Sequence, residues 1–414
     1  MIPALQRPKR KNPILRTRQA MLPPGLRSRA ALGFTAAAAL GRFELQVCAS
    51  CKAVQYPPRE ACHNCLGDSL IWTLQDGAGE LLAATTVHVS HDLFFRERVP
   101  WQLAMVRLDC GPTVVAHLNA GCPPAPGRVR VDARLDKAGQ GVLVAFPIDE
   151  VTNMADDRQL REMTCDPRFR KVLITDGKTK VGQALAKAMV AAGADLVWVG
   201  QAEPWKKFPG LDELSADSRV TVVPLDVTDS RAVTQLAGEI GGRVDILINN
   251  AEVHRTHGIA SRAGVEVARS EMDVNYFGLL RLAQEFGPAL KARGADGQSS
   301  AAAWVNVLSI FALSNFPAHG TFSASKAAAL SLSQCLRAEM RPAGLRVINV
   351  FPGPIDDEWN QALPPPKLTA DALAKAVVGA LRDGVEDVYP GDVAQEWLAR
   401  WRENPKVLER ELGL

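Results

Sequence analysis

The spacing of hydrophobic positions changes character near residue 150. Between Trp72 and Ile148, short valine-rich runs alternate with polar residues: Leu81 to Val89, Leu103 to Leu108, Val114 to Leu118, Val129 to Leu135 and Val142 to Phe146. Gly, Pro and Asp separate them, and this punctuation predicts the strands of a small antiparallel barrel. After a charged stretch around Asp156 to Glu162, unbroken apolar runs take over at Lys171 to Thr175, Leu196 to Val199, Val220 to Pro224, Val244 to Ile248, Trp304 to Leu308 and Val347 to Val350. Helical segments such as Gly182 to Ala192 lie between them. Strands buried on both faces read this way, so the second half predicts a parallel sheet with helices on both sides. The boundary falls near Glu150 to Asp166. Val393 to Leu412 carries Trp397, Leu398, Trp401, Val407 and Leu408 among charges and predicts an amphipathic helix at the domain edge.

Composition adds limits to this picture. With 414 residues, 47% hydrophobic and 22% charged, the chain can close two or three cores and has none of the bias of a disordered or fibrous protein. The net charge of +3 is unevenly placed: Arg7, Lys9, Arg10, Lys11, Arg16, Arg18, Arg27 and Arg29 all precede the first acid, Glu44. Such a run among prolines predicts a solvated, flexible arm, with a docking arm for an acidic partner or nucleic acid as the alternative. The stretch Ala30 to Leu40 is too short to cross a bilayer and predicts a helix stopped by Gly41. Of eight cysteines, four are clustered and four are scattered. That usage fits a reducing compartment, and we expect a cytoplasmic protein without membrane contact.

The cluster is Cys48-x2-Cys51 followed by Cys62-x2-Cys65. Two such knuckles at short separation can bring four thiolates around one zinc ion, and four sulfurs leave no position for water, so the metal is expected to be structural. His63 is read as a surface residue. Phe94, Phe95, Arg96 and Arg98 form an aromatic and basic patch, either a ligand or partner surface or a solvated turn. An alanine-rich helix, a four-cysteine ribbon and a small barrel occur in that order. Together with Tyr56-Pro57-Pro58-Arg59 between the knuckles, they resemble the OB-fold family called domain of unknown function 35, over about Ala30 to Pro147. That resemblance implies a module that receives acyl-CoA thioesters and pairs with thiolase-like proteins. A ribbon and barrel with a basic arm would also suit nucleic acid. The strands lack the alternating exposed aromatic and basic residues of a stacking platform, so nucleic acid is not expected.

From Phe169 to Trp359 the landmarks run Thr175-Asp-Gly-Lys-Thr-Lys-Val-Gly182, Asp226-Val227, Asn249-Asn-Ala-Glu252, Asn275, Ser309, Phe322-x3-Lys326 and Pro352-Gly353. Their order and spacing resemble the short-chain dehydrogenase/reductase family. The resemblance implies a phosphate loop TGxxxGxG, in which Asp176 and Lys180 replace glycines and Gly182 remains. It also implies that Asp226 receives the adenine amino group and that Asn249 opens an NNAG loop, whose last glycine is here Glu252. The threonine of PGxxxT is here Asp357. Acids near an anionic ligand are unfavourable, so NAD(P) binding is not expected from this set. The family's catalytic asparagine, serine, tyrosine and lysine correspond to Asn275, Ser309, Phe322 and Lys326. In that family the lysine lowers the tyrosine pKa and holds the nicotinamide ribose. Phenylalanine has no exchangeable proton, so the general acid/base contribution of about 10² to 10⁴ is missing there. Tyr276 and His319 are the nearby groups considered as substitutes.

The expected division is 1–29 basic arm, 30–70 helix and ribbon, 71–150 OB barrel, 151–168 linker and 169–414 dehydrogenase-like domain. The fold class is multidomain: zinc ribbon plus OB β-barrel, then an α/β Rossmann-like doubly wound parallel sheet. The functional expectation is a non-catalytic accessory subunit that binds acyl-CoA and assembles with a thiolase or aldolase of thiolase type. Self-association or hetero-oligomer formation would use the helices Met272 to Leu290 and Ser323 to Met340. The alternative is an NAD(P)-dependent hydroxyacyl-CoA dehydrogenase with an unusual proton donor.

Overall fold

The structure, a computed structural model, describes residues 20–149, 152–255, 257–260, 264–295, 301–361 and 363–413. Most of the basic arm therefore lies outside the described residues. The N-terminal half opens with helix α1 (Leu32–Ala39), which Gly41 ends at φ +69°, a left-handed conformation that glycine adopts without strain. Strands β1 (Glu44–Cys48), β2 (Val54–Gln55) and β3 (Leu70–Leu74) form a three-stranded antiparallel sheet in the order β2-β1-β3. β3 straddles the expected boundary at residue 70 and pairs with β1 along its whole length, Glu44 opposite Leu74 through Cys48 opposite Leu70.

The barrel follows as β4 (Ala78–Val87), a one-turn helix α2 (Leu93–Arg96), β5 (Trp101–Leu108), β6 (Thr113–Leu118), β7 (Gly127–Leu135) and β8 (Gly141–Pro147). It closes in the order β4-β5-β6-β8-β7. Alternation decides which side chains point inward: Val106, Leu108, Val114, Ala116, Val129, Val131, Ala133 and Leu135 are buried, while their neighbours face out. Phe34 and Ala38 of α1 pack into the same core.

The aromatic and basic patch is a packed contact at Phe94 and Arg98, while Arg96 stays exposed. Phe94 is 2% exposed and packs with Trp101, Phe146, Met154, Leu160 and Met163. Arg98 makes two hydrogen bonds to the Glu162 carboxylate, at 2.9 and 3.1 Å, and lies 4.0 Å over the Phe94 ring. The segment expected to be a linker supplies Met154, Leu160, Met163 and Glu162, so its apolar side chains bury the patch. Sequence periodicity sees only one side of such a contact.

The second half is a seven-stranded parallel sheet, β11-β10-β9-β12-β13-β14-β15. Its elements in chain order are β9 (Lys171–Ile174), α3 (Lys180–Ala191), β10 (Leu196–Gln201), α4 (Pro209–Leu214), β11 (Val220–Pro224), α5 (Ser230–Ile240), β12 (Ile246–Asn249), α6 (Glu266–Met272), α7 (Leu279–Gly294), β13 (Ala303–Val307), α8 (Gly320–Met340), β14 (Arg346–Val350), α9 (Ala370–Asp383) and β15 (Asp387–Val388). One core lies between the sheet and α3, α4 and α9; the other lies between it and α5, α7 and α8. The reversal of strand order between β9 and β12 creates the crevice where such sheets bind ligands. The terminal amphipathic segment is two helices, α10 (Asp392–Glu403) and α11 (Pro405–Glu411), because Pro405 cannot continue the first and Asn404 caps the second.

The halves are tied by polar contacts. Arg346 of β14 donates to the carbonyls of Leu135 and Asp136 at 3.1 and 3.2 Å, and Lys137 pairs with Glu162 at 3.2 Å. Glu386 N donates to Ala39 O of α1 at 2.7 Å. No described helix is long and apolar enough to cross a membrane.

Candidate functional site

Two sites emerge, one in each half. In the ribbon, Cys48 ends β1 and Cys51 follows on a tight turn; Cys62 and Cys65 repeat the arrangement. Each knuckle closes identically, with Lys52 N bonded to Cys48 O and Leu66 N to Cys62 O, both 3.0 Å. Lys52 and Leu66 take φ of +62° and +61°, which turns each chain back so that both sulfurs of a knuckle face inward. The Sγ atoms approach to 3.5 Å for Cys48 and Cys65 and 3.6 Å for Cys51 and Cys62, and all four lie within 4.8 Å of one another. Four sulfurs about 2.3 Å from a tetrahedral zinc would be about 3.8 Å apart, so this donor set fits the ion. His63 stands outside it, its Nδ1 3.3 Å from Gln55 Oε1. Beside the ribbon an open groove of about 560 Å³ runs to the barrel, lined by Lys52, Gln55, Tyr56, Arg59, His63 and Thr113 among others.

The second site lies at the β9 and β12 switch. Thr175 Oγ1 accepts from the amides of Asn250 and Ala251, at 3.0 and 3.1 Å, and Asn250 Nδ2 donates to Asp176 O at 2.7 Å. This network locks the phosphate-type loop to the segment after β12. A Cβ on Gly182 would come 1.8 Å from Asp176 O, so the glycine that the family pattern retains is sterically required. Asp176 does not point its charge at a ligand: it accepts from Lys178 N at 3.0 Å, and burial raises its pKa. Lys178 and Lys180 are exposed at the start of α3. Asp226 holds Thr228 N and Oγ1 at 2.8 and 2.7 Å, and Asn249 Oδ1 is 3.3 Å from Thr175 Oγ1. Asp357 accepts from the amides of Trp359 and Asn360, both at 3.0 Å; burial raises its pKa too.

The four residues at the catalytic positions are all buried. Asn275 sits in a π-helical turn, Asp273–Gly278, and clasps the segment after β12 by accepting from Val253 N (3.1 Å) and donating to Val253 O (2.9 Å). Ser309 Oγ accepts from Phe311 N. Lys326 donates to Val307 O at 3.1 Å and pairs with Glu252 Oε2 at 2.7 Å. Phe322 is 3% exposed, and its ring lies 5.5 Å from Lys326 Nζ. Glu252 thus bridges two groups, since its Oε1 is 3.0 Å from His254 Nδ1. Burial alone would raise the Glu252 carboxyl, but Lys326 and His254 outweigh it and hold it down to about 2. His254, which the sequence analysis did not single out, packs tilted or edge-on against Phe322 at 4.8 Å, His319 at 5.6 Å and Trp359 at 5.7 Å. One signal for it was available: Glu252 and His254 are an acid and an imidazole only two residues apart, directly after the family's fourth-strand landmark. His319 is fully buried and pushed down to about 4, chiefly by burial, which makes it a neutral ring among Phe311, Phe316 and Phe322. Tyr276 meets Phe277 edge-on instead.

Residues 170–367 match the model of the short chain dehydrogenase family. The chain is 34% identical to Short-chain dehydrogenase PC-15 of Penicillium crustosum, over 47% of this chain and 70% of that one. The chain belongs to the short-chain dehydrogenase family. Residues 35–70 match the rubredoxin-like zinc ribbon domain of ChsH2 and residues 72–140 its C-terminal OB-fold domain, so a zinc ribbon and OB fold precede the dehydrogenase domain. Dehydrogenase/reductase SDR family member 7B of Mus musculus is 33% identical over 44% of this chain and 56% of its own length. Among solved structures, a short chain dehydrogenase from Burkholderia cenocepacia J2315 in complex with NADP is 36% identical, with a TM-score of 0.53, covering 60% of this chain and 98% of that one. Its bound NADP overturns the expectation that NAD(P) is not bound. The physical reason is visible above: Asp176 and Asp357 are spent on backbone amides, and Glu252 is neutralised by Lys326, so these short-chain dehydrogenase positions do not present three free charges to an anionic ligand.

Proposed function

We propose that this protein processes acyl-CoA thioesters, with the ribbon and barrel receiving the CoA moiety and a thiolase-like partner subunit making or breaking the carbon-carbon bond. The observation that carries this reading is the pairing of an intact four-thiolate ribbon with the groove beside it. Lys52, Arg59 and His63 line that groove, a donor set suited to the phosphates of CoA, and its volume lies in the range of small-molecule sites, about 300 to 1,000 Å³. A ribbon held by zinc presents those groups at little ordering cost. The reacting cysteine belongs to the partner, and α7 and α8 offer the assembly surface. Co-expression with a thiolase-like subunit tests this: a stable complex that turns over acyl-CoA, and loses turnover when Lys52 and Arg59 become glutamate, supports it. A complex that never forms, or one indifferent to those charge reversals, sinks it.

A second reading concerns the dehydrogenase domain itself, an NAD(P)-dependent enzyme acting on a hydroxyacyl-CoA. The buried Glu252–His254 pair beside Lys326 favours it. The residues present fit a dinucleotide at its pyrophosphate end, where Gly182 keeps the loop tight and Lys178 and Lys180 flank the helix start. A bound nicotinamide would supply hydride exchange with the substrate carbon. On the family resemblance Asp226 would receive the adenine amino group, and Lys326 would hold the ribose only while sharing its charge with Glu252. Quenching of tryptophan fluorescence by NADPH at micromolar concentration is the expected result; its absence at millimolar NADPH and NADH excludes this reading.

A further inference from the structure

Phe322 and Glu252 both depart from the family pattern, and both lie beside Lys326. On the family resemblance, a tyrosine at 322 would carry the proton and Lys326 would lower its pKa. Here the ring is bare, and the ammonium that would have acted on a phenol is taken by Glu252 at 2.7 Å. The other oxygen of the same carboxylate meets His254 Nδ1 at 3.0 Å. The second ring nitrogen, His254 Nε2, is buried and has no hydrogen-bond partner among the described residues, although the side chain is only 3% exposed. A buried imidazole with one nitrogen fixed by a carboxylate and the other unmatched is costly unless something completes it, by about 1 to 3 kcal/mol. It is also the arrangement in which an imidazole acts as base and then acid.

We propose that His254 is the catalytic acid and base of the dehydrogenase domain, with Glu252 as its positioning residue and the hydroxyl or carbonyl oxygen of a hydroxyacyl or ketoacyl thioester as the group that Nε2 engages. This rests on the second reading above. In the oxidation direction the substrate O–H bond breaks and its proton goes to Nε2. The carbon-bound hydrogen leaves with its electron pair to the nicotinamide dinucleotide, and the carbonyl forms. Reduction runs these movements backwards, with the proton leaving imidazolium Nε2. Glu252 accepts from Nδ1–H and stabilises the imidazolium, while Lys326 keeps the carboxylate ionised.

The groups facing His254 come from three elements. Glu252 lies on its own segment; Lys326 and the neutral His319 come from α8 and its cap; Asp357 comes from the segment after β14 and interacts with both Glu252 and His254. His257 lies beyond His319 and acts on it. Arg255 turns away, its guanidinium 4.1 Å over the Trp359 ring. Trp359 lies edge-on to His254 at 5.7 Å and is itself partly exposed.

The test uses the full chain with labelled histidine, and His254→Gln identifies the resonance. In the wild type we expect the Nδ1–H tautomer, with its population falling in Glu252→Gln as the carboxylate acceptor is lost. With NADP⁺ added, a nuclear Overhauser contact should connect the nicotinamide ring to the His254 ring. With acetoacetyl-CoA and NADPH, kcat should fall by about 100-fold or more in His254→Gln at unchanged NADPH affinity. NADP⁺ that fails to bind overturns the underlying reading. NADP⁺ that binds without reaching His254, an Nε2–H tautomer indifferent to Glu252→Gln, or an unchanged kcat overturns the role of His254 and leaves that reading standing.

Discussion

The ribbon and the dehydrogenase pocket keep different things. In the ribbon the four ligands survive and both knuckles repeat one backbone geometry that aims the sulfurs at one point, so the chemistry and the local fold are tied together. In the dehydrogenase domain the sheet core rests on Val172, Ile174, Ile246, Ile248 and their neighbours, while Phe322 packs in a separate small cluster with Ile310, Phe311 and Ala394. The pocket has therefore been free to exchange a phenol for Phe322 and a glycine for Glu252 without losing the sheet. A site that supplies its own folding energy resists change, and a site carried by an independent core does not.

The largest expected effect breaks that contrast at its strongest point. Cys48→Ala should abolish zinc binding and unfold the ribbon, since structural zinc in such sites contributes about 10 to 16 kcal/mol of apparent binding energy. Metal analysis near zero, with ribbon amides exchanging freely and the dehydrogenase sheet still protected, is the outcome; retained metal would contradict it. Next, Phe94→Ala should cost about 3 to 5 kcal/mol, because it opens a cavity where the barrel meets the segment before β9. Chemical denaturation should show the loss, and a cost below about 1 kcal/mol would mean that this contact does not couple the halves.

Acid should sharpen the comparison further. Burial holds His117 down to about 4, and the Trp101 indole N–H donates to its Nδ1 at 2.9 Å. An unfolded histidine takes up its proton near 6.5, so this stability is present above that pH and lost as pH falls toward 4, by about 3 kcal/mol. His319 gives the dehydrogenase domain the same window. The dehydrogenase domain has a further window at Glu252, which at about 2 contributes stability above roughly pH 4.5 that disappears as pH falls through 2. Hydrogen exchange at β5 and β6 should therefore rise between pH 6.5 and 4, and Glu252→Gln should flatten only the lower window, at α8. The smallest effect is expected from Phe322→Tyr, which should leave acyl-CoA turnover by the partner complex within about two-fold, as for a change remote from the reacting site. A large change there would place the carbon-carbon chemistry in the dehydrogenase pocket.

Much of the site was legible one residue at a time. The two CxxC knuckles, Gly182 and the missing phenol at 322 each declare themselves by type and spacing. Charge was misread where partners were out of view. Asp176, Glu252 and Asp357 read as three repelling acids, yet two bond to amides within three residues and the third to Lys326, which is 74 positions away. Phe94 and Arg98 read as a surface because Leu160 and Glu162, which cover them, belong to a segment with no periodic signal.

The sequence by itself determined the order of domains, the periods of their strands and which atoms exist to do chemistry, because side-chain alternation and functional-group identity are local properties. Tertiary structure alone decided which of those atoms meet. The Glu252 bridge from Lys326 to His254, the unmatched His254 Nε2 and the burial of Phe94 all depend on how separate elements cross at the end of a sheet, and a carboxylate's charge state follows from the neighbours it finds there.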